Sequence, residues 1–278
     1  MTEKVIVSLS TIPPRFCHIG GVLDRILRQD KRPDEVNLYI PKSYRRFPEH
    51  VFCIPQVPEG VTVKVVDEDL GPATKILPCA KENWGRNVRI VYCDDDRLPA
   101  PNWLSEIISA SVRRPENVIV STADSLEKYR LKLPEMRRLP RAIARNRRLD
   151  FGYYARKVKW LLTQRNLKME KPSRHLFKSS GFVDFAQGLG GVSIRPCFID
   201  EYDFKMPDVL WSVDDIWLSG AYERKGIGIW LCRDVPVPHP SRASAMSSLV
   251  DSIIDNHDRE SADLACIKYL QDNYNIWW

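Results

Sequence analysis

In Ile90-Val91-Tyr92-Cys93-Asp94-Asp95-Asp96-Arg97-Leu98-Pro99 an apolar run ends abruptly in three consecutive carboxylates and a Pro-containing loop. Val88 to Cys93 is short, β-branched and aromatic, and too brief for a buried helix, so it predicts a buried strand. Three adjacent Asp at a strand end repel one another and place several hard oxygens at one edge of a sheet. A divalent cation sharing a phosphate ligand relieves that repulsion, because Mg²⁺-like ions take one or two protein carboxylates plus substrate oxygens. The alternative is a solvated acidic turn, and the flanking sequence has to decide between them.

Upstream, Lys4 to Ser8 predicts a first strand, and the loop Leu9–Arg15 carries Pro13-Pro14, which forbids a helix there. Val22, Leu23, Ile26 and Leu27 have helical spacing within Gly21–Gln29. Glu35 to Ile40 and the alternating Val61 to Val66 predict two more strands. The acidic loop Asp67–Lys75 leads into a helix over Ala73–Lys81. Downstream, Pro101–Val112 predicts a helix with proline in its first turn, and Val118–Ser121 a fifth strand. Strands alternating with helices imply βαβ units and a mainly parallel sheet. Ligands bind such sheets at the carboxyl ends of the strands. The loops Ser10–Arg15, Asp67–Lys75 and Asp94–Pro99 are therefore expected to converge, bringing Thr11, Arg15, Asp69, Lys75 and the carboxylates Asp94, Asp95 and Asp96 to a nucleotide diphosphate and its metal.

The composition of the 278 residues, 44% hydrophobic and 28% charged, is that of a globular chain large enough for one sizeable domain. No run of eighteen apolar residues suits a membrane span. Met1-Thr2-Glu3-Lys4 lacks the features of a signal peptide. Seven scattered cysteines without a CxxC pair argue against a disulfide framework or zinc site, and a reducing cytoplasm is the expected location. The net charge of +6 is unevenly spread. From Lys128 to Lys178 there are 17 Lys/Arg against Glu135, Asp150 and Glu170, a net of +14, so the remainder carries −8. Lys157-Val158-Lys159-Trp160-Leu161-Leu162 has the pattern of a basic amphipathic helix. It reads either as a solvated face or as a surface meeting anionic lipid or an anionic acceptor glycan. No nucleic-acid recognition motif is present.

Phe182 to Arg195 predicts two short strands flanking a Gly-rich turn, where Gly190 and Gly191 allow a backbone to approach a ligand; a plain hairpin is the alternative. Ser212 to Asp215 resembles a helix start. Asp214 and Asp215 read either as its capping acids or as chemistry, since adjacent like charges raise one pKa and make a better base. Gly226 closes that helix, and Ile227–Leu231 is a further strand. His239, fixed between Pro238 and Pro240, is a candidate metal ligand or a structural residue. Residues 241–278 are predicted helical, with Trp277-Trp278 covering core or lying at a membrane interface. The division expected is 1–124 donor-binding half, 125–180 basic insertion, 181–240 acceptor and catalytic half, and 241–278 helical tail.

The succession of strand, Asp94-Asp95-Asp96, Pro99, Pro101, Trp103-Leu104, a Gly-rich turn, and Asp214-Asp215-Ile216-Trp217-Leu218-Ser219 resembles the family-2-like glycosyltransferases of the GT-A fold. The likeness covers residues 4–122 and 181–232. It implies an α/β, Rossmann-like, mainly parallel sheet flanked by helices, with residues 125–180 as a basic, mostly helical insertion. It further implies a UDP-sugar donor, Mn²⁺ or Mg²⁺, and a glycan or lipid-linked acceptor, in bacterial surface-polysaccharide assembly at the inner face of the cytoplasmic membrane. By position, Asp94 would face ribose or metal, Asp96 would bind the cation, and Asp215 would match the general base of inverting members. Asp214 stands where the family has Glu, the Ser8–Arg15 loop departs from the family's usual type, and retaining chemistry stays open. Two other readings are a nucleotidyltransferase on a related sheet, disfavoured because Ser8–Arg15 has no Gly, and a non-catalytic basic module binding membrane or acidic polymer.

Overall fold

The structure is a computed structural model. It describes residues 3–131, 134, 137–145, 150–163, 176–207, 210–247 and 259–278. The strands in chain order are β1 (Lys4–Ser10), β2 (Glu35–Pro41), β3 (Val61–Val66), β4 (Val88–Tyr92), β5 (Arg97–Leu98), β6 (Val118–Val120) and β7 (Ala123–Asp124). They continue with β8 (Ile143–Ala144), β9 (Phe177–Ser179), β10 (Gly181–Val183), β11 (Phe185–Ala186), β12 (Val192–Ile194), β13 (Ile229–Leu231) and β14 (His239–Pro240). The helices are α1 (Ile19–Leu27), α2 (Leu77–Glu82), α3 (Trp103–Arg113), α4 (Phe151–Thr163), α5 (Asp214–Arg224) and α6 (Arg259–Tyr274).

Eight strands form the central sheet in the order β10-β13-β6-β12-β4-β1-β2-β3. β3, β2, β1 and β4 run parallel, as do β13 and β6, while β12 runs antiparallel to both β4 and β6, and β10 antiparallel to β13. The chain winds outward from β1 to β3, then crosses back to β4 on the other side of β1. The direction of winding thus reverses between β1 and β4, and a crevice opens beyond their carboxyl ends.

Alternation along β1 divides the core. Val5, Val7 and Leu9 point to the layer with Ile19, Leu23 and Ile26 of α1 and Trp103, Leu104 and Ile107 of α3. Ile6 points to the opposite layer, with Leu77 and Ala80 of α2 and Leu218 and Tyr222 of α5. Both faces of the sheet are covered, which is why its strands read as near-continuous apolar runs. α6 packs outside α5: Cys266, Ile267 and Leu270 meet Val213, Ile216 and Trp217.

Three expectations are refined. The helix expected over Ala73–Lys81 is a tight turn at Gly71–Lys75 followed by α2, because Pro78 and the pre-proline Leu77 reset the backbone. The two strands around the Gly-rich turn do not pair with each other. β10 pairs with β13, β11 with β7, and β12 inserts between β4 and β6. Of the tail, residues 248–258 lie outside the described residues, Arg242–Ala245 is a short turn, and α6 follows. Trp277 is buried with its ring 5.0 Å from that of Phe185, whereas Trp278 is exposed.

Candidate active site

A cleft of about 390 Å³ opens at the crevice, and the loops after β1, β3 and β4 all line it. Thr11, Arg15, Asp69, Lys75, Asp94, Asp95, Asp96, Asp214 and Asp215 are all in its wall. Carboxylates separated by some 120 residues in the chain therefore meet in one cavity.

Lys75 joins them. Its Nζ lies 2.7 Å from Asp94 Oδ1 and 2.8 Å from Asp214 Oδ2, and the ammonium is buried. Burial alone would pull Lys75 down, but the charges of Asp214, Asp94 and Asp215 outweigh it and hold the amine above its usual range. Asp94 responds in kind: burial pushes it up, and Lys75, with Arg97 and Arg15 beyond, holds it below the usual carboxylate range. Ser8, inside β1, donates a 2.6 Å hydrogen bond to the Lys75 carbonyl, so the sheet itself sets the position of this residue. Asp214 sits at the buried first turn of α5, where the helix dipole also favours a negative charge.

The other two members of the triplet have different partners. Asp95 is buried and accepts from Thr11 Oγ1 at 2.6 Å and from Arg15 at 2.5 Å, which ties the loop after β1 to the loop after β4. Asp96 lies 3.4 Å from Arg15 and 3.2 Å from Arg97. Burial and the charge of Asp94 push Asp96 above the usual range, against the opposing pull of Arg15, Arg97 and Lys75. Its Oδ1 is buried and lacks a well-formed hydrogen bond; the 3.2 Å approach of Arg97 Nε is an ion-pair contact of poor angle. A pair of neighbouring carboxylates of which one is under-compensated suits a divalent cation whose remaining ligands come from a substrate.

Among the described residues no three His, Cys, Asp or Glu side chains converge as a ligand set supplied wholly by protein. His239 is half-buried in β14, opposite Leu98 of β5, and is not part of the cleft wall. The β14 segment nevertheless braces the acidic loop, for the residue after it, Ser241, donates its N–H to the Asp96 carbonyl at 2.8 Å.

The Gly-rich turn contributes at Gly188, not at the glycines singled out from the sequence. A Cβ on Gly188 would lie 2.6 Å from Lys75 Nζ and 2.8 Å from Asp94 Oδ1, so only glycine lets this turn close over the pair. Its N–H donates to Asp215 Oδ1 at 3.0 Å. Gly190 packs against Ser121 and Thr122, and Gly191, at φ 87°, against Trp103. Like Gly188 itself, both are outside the cleft wall, which the turn reaches through Gln187 and Leu189, and they serve the junction between the turn and the core. Asp69 ties its own loop to the segment after β2, accepting from the N–H groups of Gly71 at 2.9 Å and Arg45 at 2.8 Å.

Sequence reasoning missed several wall residues. Tyr44, Arg46 and Phe47 extend the cleft beyond the end of β2. Asp124, which accepts from Lys128 at 2.6 Å and Gln187 at 2.9 Å, lies toward α5. Asp263 of α6, accepting from Tyr129 at 2.8 Å, closes that end. Asp124 follows a strand end and is open to discovery by the same rule that picks Asp94. Asp263 sits mid-helix in a tail whose pattern gives no sign of the cleft.

Neither protein-family models nor curated proteins give a match to this chain. Among solved structures, the chain is similar to S. aureus TarS 1-349, with TM-score 0.46 and 10% identity over 98% of this chain and 72% of that one. The same protein in complex with UDP gives 0.45 and 11% over the same shares. The mannosyltransferase PcManGT from Pyrobaculum calidifontis, in complex with GDP-Man and Mn²⁺, gives 0.47 and 17% over 84% of this chain and 56% of that one.

Proposed function

We propose that this chain is a cation-dependent glycosyltransferase that moves a sugar from a nucleoside-diphosphate sugar to a hydroxyl of a glycan or lipid-linked acceptor, with inversion, on a GT-A-type frame. One observation carries the reading. The acids that end β4 and those that begin α5 share a single cleft and are bridged by one buried ammonium, with distances of 2.7 and 2.8 Å.

Transfer breaks the bond from the sugar C1 to the diphosphate oxygen and forms one from C1 to the acceptor oxygen. The electron pair of the broken bond leaves with the diphosphate. When bound, Mn²⁺ or Mg²⁺, held by Asp94 and Asp96, supplies Lewis-acid stabilisation of that departing charge. Arg15, and Lys75 beneath the turn at Gly188, add fixed positive charge on the same wall. Asp215 takes the proton of the acceptor hydroxyl. It is half-buried at the cleft wall, oriented by the Gly188 N–H, on the element facing the β4 acids. Asp214 plays another part. Ion-paired with Lys75, it positions the ammonium and leaves base chemistry to its neighbour.

The test is a panel of UDP-, GDP- and dTDP-sugars, incubated with the protein and Mn²⁺ and read as release of nucleoside diphosphate. Release from at least one donor, abolished by EDTA and restored by added cation, is expected. Release of pyrophosphate instead would assign a nucleotidyltransferase, and failure to bind any nucleoside diphosphate at millimolar concentration would overturn the reading.

A further inference from the structure

The basic insertion divides into two parts with opposite fates. Nearest the body, its arginines turn inward. Arg137 reaches Glu127 at 2.6 Å and Asp184 at 2.9 Å, Arg141 reaches Asp184 at 2.8 Å, and Arg138 pairs with Glu223. These charges anchor the stem on which the rest is carried, the antiparallel pair β8 and β9. Beyond the stem lies α4. Asp150 starts it, its Oδ1 accepting from the Tyr153 N–H at 3.1 Å.

α4 buries none of its residues. Phe151 is 74% exposed, Val158 54%, Leu161 53% and Leu162 76%, and Tyr154 lies among them. At about 100° per residue these five side chains occupy one arc of about 100°. Lys159 borders the arc on one side and Lys157 on the other. The half-buried Tyr153, Trp160 and Thr163 lie on the other side of the helix. The apolar stripe is thus turned outward, the reverse of a core-packing helix. From Asp150 to Lys178 the sequence has eight Lys or Arg against Asp150 and Glu170, a net of +6. Among the described residues no helix is long and apolar enough to cross a bilayer.

We propose that α4 docks this protein on an anionic lipid surface, lying in the plane of the interface with its apolar stripe among the upper acyl chains and its flanking cations on the headgroups. Charge decides the occupant. α4 itself contains no acid, so stacking the stripe on a second copy would bring cations against cations on both rims, whereas anionic headgroups neutralise them. The surface is independent of the transfer chemistry and is tested without donor or cation.

The experiment is flotation of the full chain with vesicles of phosphatidylcholine alone and with 30% phosphatidylglycerol, at low and high salt. The protein is expected to float with the anionic vesicles and not with the neutral ones, and to be released by high salt. Lys157→Gln with Lys159→Gln should lower the partition coefficient about thirtyfold, at about fivefold per charge. Phe151→Ser with Leu162→Ser should abolish flotation while leaving far-UV circular dichroism unchanged. Absence of flotation on anionic vesicles, or equal flotation of wild type and both variants, overturns the proposal. So does a dimer in sedimentation that the Phe151/Leu162 pair dissolves without any lipid binding, which would give the stripe to a second copy.

Discussion

Lys75→Met keeps the side-chain stem and deletes the ammonium that spans the cleft. It leaves the carboxylate of Asp214, only 3% exposed, without the partner now 2.8 Å away. Removing one member of a buried ion pair costs about 3–5 kcal/mol. Asp94, whose side chain is 32% exposed, regains water and adds little. The expected loss at pH 7 is therefore about 3–5 kcal/mol, a large share of a typical folding stability of about 5–15 kcal/mol. The pH dependence follows from the two resolved shifts. Lys75 is raised in the fold, so its contribution is present below its unfolded pKa and fades only as pH rises through the folded value. Asp94 is lowered, so its contribution is present above its unfolded pKa and fades as pH falls through the folded value. Near neutrality the wild type keeps both. Urea unfolding followed by tryptophan fluorescence at pH 7 reads the loss, and a value below about 1 kcal/mol would refute the bridging role.

Gly188→Ala places a methyl 2.6 Å from Lys75 Nζ and 2.8 Å from Asp94 Oδ1; turnover should fall about a hundredfold with the melting temperature changed by a few degrees, measured side by side. Glu127 is held down to about 2 by its hydrogen bond from Arg137, so its contribution is present above pH 4.5 and lost as pH falls toward 2. The difference in melting temperature between wild type and Glu127→Gln should be small at pH 7, since the pair is exposed, and should close on acidification. Trp277→Ala should cost about 3–5 kcal/mol through the cavity left beside Phe185, whereas Trp278→Ala should lie within about 0.5 kcal/mol of wild type by denaturant midpoint.

The half of the sheet made of β1 to β4 is legible because periodicity is local: Lys4–Ser8, Glu35–Ile40 and Val88–Cys93 declare buried strands by composition, and the loops that follow them must share an edge. Asp94, Lys75 and Arg15 are found by that rule alone. What the sequence hides is pairing at a distance. Nothing in Val192–Ile194 says that it inserts antiparallel between β4 and β6, nor that Gly188, two residues ahead of the Gly190-Gly191 pair, is the one under which Lys75 must fit. The positive charge of 128–178 reads as one surface, yet Arg137, Arg138 and Arg141 are engaged by Asp184, Glu127 and Glu223. Charge in a sequence shows its sign but not its partner. Asp263 reaches the cleft wall, and Trp277 packs on Phe185 behind it, through the packing of α6 on α5, a tertiary choice with no local signature.

The division of labour between the two acidic ends of the cleft is tested most directly by measuring, for the same donor, both Mn²⁺-dependent binding by calorimetry and sugar transfer, in wild type, Asp96→Ala and Asp215→Asn. The account predicts that Asp96→Ala loses the Mn²⁺-dependent part of donor affinity. It predicts that Asp215→Asn binds donor like wild type while transfer falls about 10²- to 10⁴-fold, the usual worth of a general base. Transfer by Asp215→Asn at the wild-type rate, or unchanged Mn²⁺-dependent affinity in Asp96→Ala, would contradict it.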